Sequence, residues 1–431
     1  MTNGIVGPDP AIKPWTLYGE RRRWLLLAIL FLVSTSNYLD RNIISILLEP
    51  IKKEFQVSDT LLGLLSGVSF ALFYATLGLP VARWADRGNR KGIITLALTC
   101  WSVMTALCGM AQAFWQLALA RVGVGAGEAG AIPPAQSLIA DYFPPERRAS
   151  AYAIFTAAAM AGYLLGFVVG GQVAVAYGWR MSFLVAGLPG LALAVLTHVG
   201  LREPRTTLGF QARGETQEPL AQTMRRLSGK RSYRYALIGQ TLYFVVAYGV
   251  VVFVPSFLVR VLGQPLGRVS ALYGTAAAAG AVVGTLGGGF LGDRLARRDI
   301  RWLAWLPAIA CALTYPTLLF GFTLNDFGRF LVCGFAANML LNAGLPLVYA
   351  AIQVVCGDAR RAMAVAVMFF FANLIGFGFG PVLTGAISDA LSAVWGVNGL
   401  RYALMSVLTV LLVTAWCFYR CGCAMPKDLE E

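Results

Sequence analysis

The run WLLLAILFLVSTSNYLDRNIISILL, from Trp24 to Leu48, decides the fold class. It exceeds the roughly 20 apolar residues that carry a helix across a bilayer, yet Asp40 and Arg41 sit inside it. One such charge near a helix centre costs about 2.5 kcal/mol or more, so residues of this kind face a protein interior or a water-filled path. Arg21, Arg22 and Arg23 precede the run. A cleaved signal has an apolar core of only about 7–15 residues, so the stretch predicts an uncleaved first span.

Outward from that segment, further apolar stretches fall near 60–82, 92–113, 115–139, 149–175, 181–200, 235–259, 268–292, 302–324, 327–356, 362–388 and 400–419. Hydrophobic residues make up 58% of the 431 and charged ones 13%, against about 25% charged in a typical soluble domain. The pattern predicts an all-α integral membrane protein with twelve transmembrane helices. The long polar stretch after Leu201 divides them, giving a tail over 1–23, a six-helix bundle over 24–200, a linker over 201–234, a second six-helix bundle over 235–420 and a tail over 421–431.

Basic residues concentrate in alternate loops: Arg21–Arg23, Arg83 to Lys91, Arg147 and Arg148, Arg202 to Arg234, Arg294 to Arg301, Arg360 and Arg361, and Arg420 with Lys427. Lys and Arg are retained on the cytoplasmic side, which places both termini there. The net charge of +14 follows from this bias. Spread over many short loops, it suits anionic lipid headgroups and argues against nucleic acid. No Asn-X-Ser/Thr acceptor occurs, which fits a bacterial inner membrane.

The eight cysteines lie in spans or the C-terminal tail and suggest no disulfide framework. No Cys/His constellation or phosphate-binding loop supports metal or nucleotide chemistry, so neither an enzyme nor a cofactor is expected. The glycine-rich pieces GVGAG and GTLGGG lie within spans, where close helix packing explains them. His198, the only histidine, reads as a filler at the end of the sixth span.

One pattern occurs twice, after the second and eighth spans: ARWADRGNRK from Ala82 to Lys91 and GFLGDRLARR from Gly289 to Arg298. With RVGVGAG at 121–127 and the glycine stripe Gly162, Gly166, Gly170 and Gly171, it resembles the signatures of the major facilitator superfamily. Ala82 and Ala296 stand where that signature has glycine. Within the superfamily, NYLDRN at 37–42 and the stretch from Arg121 through PPERRASA are similar to the spinster group, whose members move sphingolipids and lysolipids. The resemblance implies alternating access by a monomer and coupling to protons.

Adjacent helical residues point about 100° apart, so Asp40 and Arg41 need partners elsewhere. Arg121 and Glu128 are about two turns apart on one face of the fourth span. At about 1.5 Å per residue from each span's centre, Asp40 lies roughly 6 Å outward, Arg41 about 7.5 Å, Arg121 about 9 Å and Glu128 near the middle. The expectation is one layer, with Asp40 paired to Arg121 and Arg41 to Glu128, in which Asp40 carries a proton and a freed arginine holds an anionic group. Glu128 is the alternative carrier.

The spans of the second half hold no Asp, Glu, Lys or Arg between Tyr235 and Val259, Val269 and Gly292, Trp302 and Asn325, Phe330 and Cys356, Ala362 and Ser388, or Tyr402 and Tyr419. Their candidate cavity groups are neutral: Tyr243, Tyr248, Asn338, Asn342 and Asn373. A site charged on one side and apolar on the other suits an amphiphile, with aromatics such as Phe369, Phe370 and Phe371 for its chain. The alternative is a proton symporter of small organic anions. A receptor or channel lacks a visible reader or fixed pore. The repeated motif, Asp86, Arg87, Arg90 and Lys91 with Asp293, Arg294, Arg297 and Arg298, is expected to latch the cytoplasmic side.

Overall fold

The computed structural model describes residues 14–208, 226–356 and 361–430. The helices are α1 (Glu20–Phe55), α2 (Asp59–Ser66), α3 (Val68–Arg87), α4 (Arg90–Met110), α5 (Phe114–Glu128), α6 (Ile132–Tyr142), α7 (Pro145–Tyr177) and α8 (Trp179–Gly200) in the first half. The second half has α9 (Arg231–Arg260), α10 (Gly274–Ala296), α11 (Trp302–Thr323), α12 (Phe327–Cys356), α13 (Arg361–Phe371), α14 (Gly378–Trp395), α15 (Gly399–Leu408) and α16 (Val410–Glu430).

Among the described residues nine helical stretches are long and apolar enough to cross a membrane. The last of these, Met363–Leu429, reverses at Gly396, whose φ of 57° is open to glycine, and so makes two spans. The remaining two of the twelve are α1, interrupted by its charges, and α5 with α6. At 36 residues, α1 is about 54 Å long. It outreaches a hydrocarbon layer of about 30 Å, which leaves Glu20–Arg23 and Lys52–Lys53 for the polar zones.

The fourth span breaks where the sequence carries Pro133 and Pro134. Both lie in the first turn of α6, where a missing N–H leaves no bond unmade. The break follows directly on Glu128, the last residue of α5.

The chain forms two compact units: Met1–Ile43, Phe73–Gly166 and Arg180–Thr216 in the first, Ile44–Leu72, Phe167–Trp179 and Gln217–Glu431 in the second. In the first, α7 lies against α1 so closely that a Cβ on Gly162 would stand 2.9 Å from the Leu39 nitrogen, and one on Gly166 the same distance from the Leu39 oxygen. This contact seats the turn of α1 that carries Asp40 and Arg41. In the second unit, Gly280, Gly284, Gly288 and Gly292 form a four-residue stripe on α10, and a methyl on any of the first three would run into the backbone of α12 at Phe335, Met339 or Ala343. The GTLGGG piece is therefore a helix-packing face.

Half of the expected linker, residues 209–225, lies outside the described residues, while Arg231 to Arg234 already belong to α9. Helix α16 continues through 421–430, where a tail was expected, because Asp428 turns back to the start of α9 and accepts the Ser232 N–H at 2.6 Å and its hydroxyl.

Candidate functional site

In the first unit the expected charged layer is assembled and enclosed: Asp40, Arg121 and Glu128 are fully buried and Arg41 is 9% exposed. Arg41 donates through Nη2 to Glu128 Oε2 at 2.9 Å and through Nε to the same oxygen at 3.3 Å. Its guanidinium lies over the rings of Tyr74, at 4.7 Å, and Tyr38, at 5.4 Å. One face of the cation is thus held by aromatic quadrupoles and one edge by a carboxylate.

The second expected pairing takes a different form. Arg121 Nη1 donates to the main-chain oxygen of Asp40 at 3.1 Å, and neither Asp40 carboxylate oxygen accepts a hydrogen bond. Helix geometry explains the exchange: seated by α7, the α1 backbone presents a carbonyl to the guanidinium. The Asp40 carboxyl group lies beside Trp101 and Thr105 of α4, both fully buried. With both acids ionised the layer is formally neutral, and the donors beside the Asp40 carboxyl are the neutral Thr105 hydroxyl and Trp101 indole N–H rather than a cation.

The neutral groups of the second half are mostly engaged locally. Tyr243 donates its hydroxyl to the Leu341 carbonyl at 3.0 Å. Asn338, Asn342 and Asn373 each give an amide N–H to the carbonyl four residues earlier, at 2.8–2.9 Å. Tyr248 stacks at a tilt against Phe377, ring centroids 4.3 Å apart. Phe369 lies parallel to Tyr349 at 5.1 Å.

The repeated motif divides. The side chains of Asp86 and Arg87 lie outside the described residues. Arg90 is fully buried inside the first unit, bound to Glu203 at 2.5 Å and Asp141 at 2.6 Å, so it clamps that unit internally and is not a solvated latch. Lys91 is half-buried. Asp293, Arg294, Arg297 and Arg298 are exposed at the end of α10, and no ion pair joins them among the described residues.

Sequence reasoning passed over a cluster in the second unit, at the helix ends opposite the arginine-rich loops. Arg260 of α9 reaches Asp59 with Nη1 at 2.7 Å and Nη2 at 2.8 Å, and Glu49 with Nη2 at 2.5 Å and Nε at 3.1 Å. Lys52 also binds Asp59, and Ser388 donates to Asp59 Oδ2 at 2.6 Å. Asp389 accepts the Asp59 and Thr60 N–H groups, each at 2.8 Å. A carboxylate of α14 thus satisfies the unpaired amides that open α2. The signal available in sequence was the appearance of Lys52 and Arg260 in loops otherwise short of base, with Glu49, Asp59 and Asp389 at span ends.

Residues 30–374 match the model of the Major Facilitator Superfamily. The chain is 36% identical over 419 residues to an MFS-type efflux pump of Mycolicibacterium smegmatis, covering 96% of each. It is 26% identical to a sphingosine-1-phosphate transporter of Danio rerio, covering 92% of this chain and 83% of that one. Among solved structures it is similar to a bacterial homolog of the human lysosomal transporter spinster in an inward-facing, unoccupied conformation, with a TM-score of 0.87 and 30% identity over 95% of this chain and 99% of that one. The buried charges, the repeated motif and the twelve spans are therefore parts of a multi-pass membrane transporter, not an enzyme, and the chain belongs to the Major Facilitator Superfamily.

Proposed function

We propose that the chain is a proton-coupled carrier of an amphiphile with an anionic headgroup, working by alternating access as a monomer in a bacterial inner membrane with both termini cytoplasmic. The observation that carries this reading is the neutral four-residue layer of the first unit, set in a chain whose second-half spans carry charged residues only towards their ends. Adding one proton leaves the layer at +1, and one anionic group restores neutrality. Asp40 is the proton site, since no cation is hydrogen-bonded to its carboxyl oxygens, whereas Glu128 is held by Arg41. The headgroup binds Arg41 by competing with Glu128, while the Tyr74 and Tyr38 rings keep the guanidinium in place. Proton and substrate then favour each other through charge balance.

The printed name of one relative, a sphingosine-1-phosphate transporter, supports a lipid-like cargo. The cluster around Asp59 acts as the outer gate, because its four contributing helix ends must separate for an outer opening. The motif around Asp86 and Asp293 acts as its cytoplasmic counterpart. Titrating purified protein with a lysolipid phosphate and with a sugar acid, at acid and at neutral pH, tests the reading. Tighter lysolipid binding at acid pH is expected. Preferred, saturable binding of the sugar acid would move the assignment to the organic-anion symporters.

A further inference from the structure

Where α9 begins and α16 ends, on the side of the arginine-rich loops, the second unit has a cleft of about 310 Å³. Arg231, Tyr235, Tyr419, Arg420 and Lys427 line it, together with Asp428. Three cations therefore face one acid, and that acid is already committed. Asp428 is 6% exposed and accepts the Ser232 N–H and hydroxyl. The nearby Lys230 is committed as well, donating to the main-chain oxygens of Asp428 at 2.8 Å and Val355 at 3.1 Å. Arg231, Arg420 and Lys427 are exposed, and no ion pair neutralises them among the described residues.

Arg420 is also positioned. Its guanidinium lies 5.6 Å from the Tyr235 ring centre and 5.7 Å from that of Trp416, and those two rings meet edge to face at 5.7 Å. Aromatic faces orient the cation without occupying its N–H groups, which stay directed for two-pronged binding of a phosphate. Loop arginines that serve only to orient a membrane protein need neither a concave setting nor such a clamp. Trp416 and Tyr419 are 50% and 54% exposed, and rings with one apolar and one polar end are favoured at the membrane interface.

We infer that this cleft binds the phosphate headgroup of an anionic membrane phospholipid. The phosphodiester sits among Arg420, Arg231 and Lys427, and the acyl chains descend past Trp416 and Tyr419. Basic pockets between helices at the cytoplasmic surface recognise such headgroups, and the volume lies at the small end of ligand sites. A lipid so held would tie the first turn of α9 to the last turns of α16. The site is separate from the buried layer and does not depend on the proposed cargo.

The test uses the full-length protein in phosphatidylcholine vesicles containing a trace of brominated phosphatidylglycerol, or of brominated phosphatidylcholine, with quenching of tryptophan fluorescence as the readout. Phosphatidylglycerol should quench a saturable fraction that phosphatidylcholine does not, and Trp416→Phe should remove that fraction. Arg420→Gln with Lys427→Gln should weaken the affinity about 25-fold, at about five-fold per removed charge, while Arg420→Lys retains most of it. Inorganic phosphate should compete no better than chloride at equal ionic strength. Equal quenching by both lipids, an unaltered affinity in the double variant, or displacement by inorganic phosphate alone would overturn the assignment.

Discussion

Replacing Arg260 with Gln removes a guanidinium that makes four hydrogen bonds to two carboxylates, Asp59 and Glu49. Their side chains are 0% and 6% exposed. Leaving a buried partner uncompensated costs about 3–5 kcal/mol. Lys52 still binds Asp59 and is itself partly exposed, which favours the lower end. About 3 kcal/mol is a factor of about 150 in an equilibrium constant. An outer side joined at roughly 99:1 would then fall to near parity between joined and separated ends. Spin labels at Lys53 and Val394, both exposed near those ends, read this directly by double electron–electron resonance, once native cysteines that react have been replaced. A second, longer distance population is expected, of size comparable to the first. A single distance identical to that of the unaltered protein would refute the gate. If the melting temperature fell while the distance stayed fixed, the cluster would be a static brace.

Other outcomes follow from the same contacts. Asp389→Asn removes the charge that caps α2 but keeps an acceptor, so it should shift the same distance distribution less, by about 1 kcal/mol or under. Asp86→Ala or Asp293→Ala should shift labels on the cytoplasmic helix ends toward longer distances, and unchanged distributions in both would remove the latch. Glu203→Gln leaves Arg90 with the Asp141 carboxylate and the Ser137 hydroxyl and should lower the melting temperature without altering either set of distances, because that clamp lies within one unit. Arg41→Ala should weaken headgroup binding and lower stability by up to several kcal/mol, since Glu128 would be buried unpaired. Unimpaired lysolipid binding in this variant would take Arg41 out of the site.

Much of the fold was legible because apolar runs of membrane length leave few alternatives, and the repeated Asp-Arg motif marked the twofold organisation. The charged layer was legible for a related reason: an acid or base within such a run must find a partner, and the heptad spacing of Arg121 and Glu128 put both on one face. The Arg41–Glu128 contact follows from that logic. The use of a main-chain oxygen by Arg121 does not, since it depends on how deeply the Gly162 and Gly166 contact sets α1. The outer cluster was hidden because, Lys52 with Asp59 apart, its bonds join residues 201–330 apart in sequence, each unremarkable at the end of its own span. Arg90 misled for the opposite reason. It lies inside a motif associated with gating, while its acids, Asp141 and Glu203, stand at the ends of other helices.

Proton-driven flux in sealed proteoliposomes tests the central claim most directly. With a pH gradient imposed, the unaltered protein should move a lysolipid phosphate and acidify or alkalinise the lumen in step with it. Asp40→Asn keeps the shape of the side chain and fixes it neutral, so gradient-driven flux should vanish while lysolipid binding persists and loses much of its pH dependence. Full gradient-driven transport by Asp40→Asn, with its abolition in Glu128→Gln, would contradict the account and transfer the proton to the fourth span.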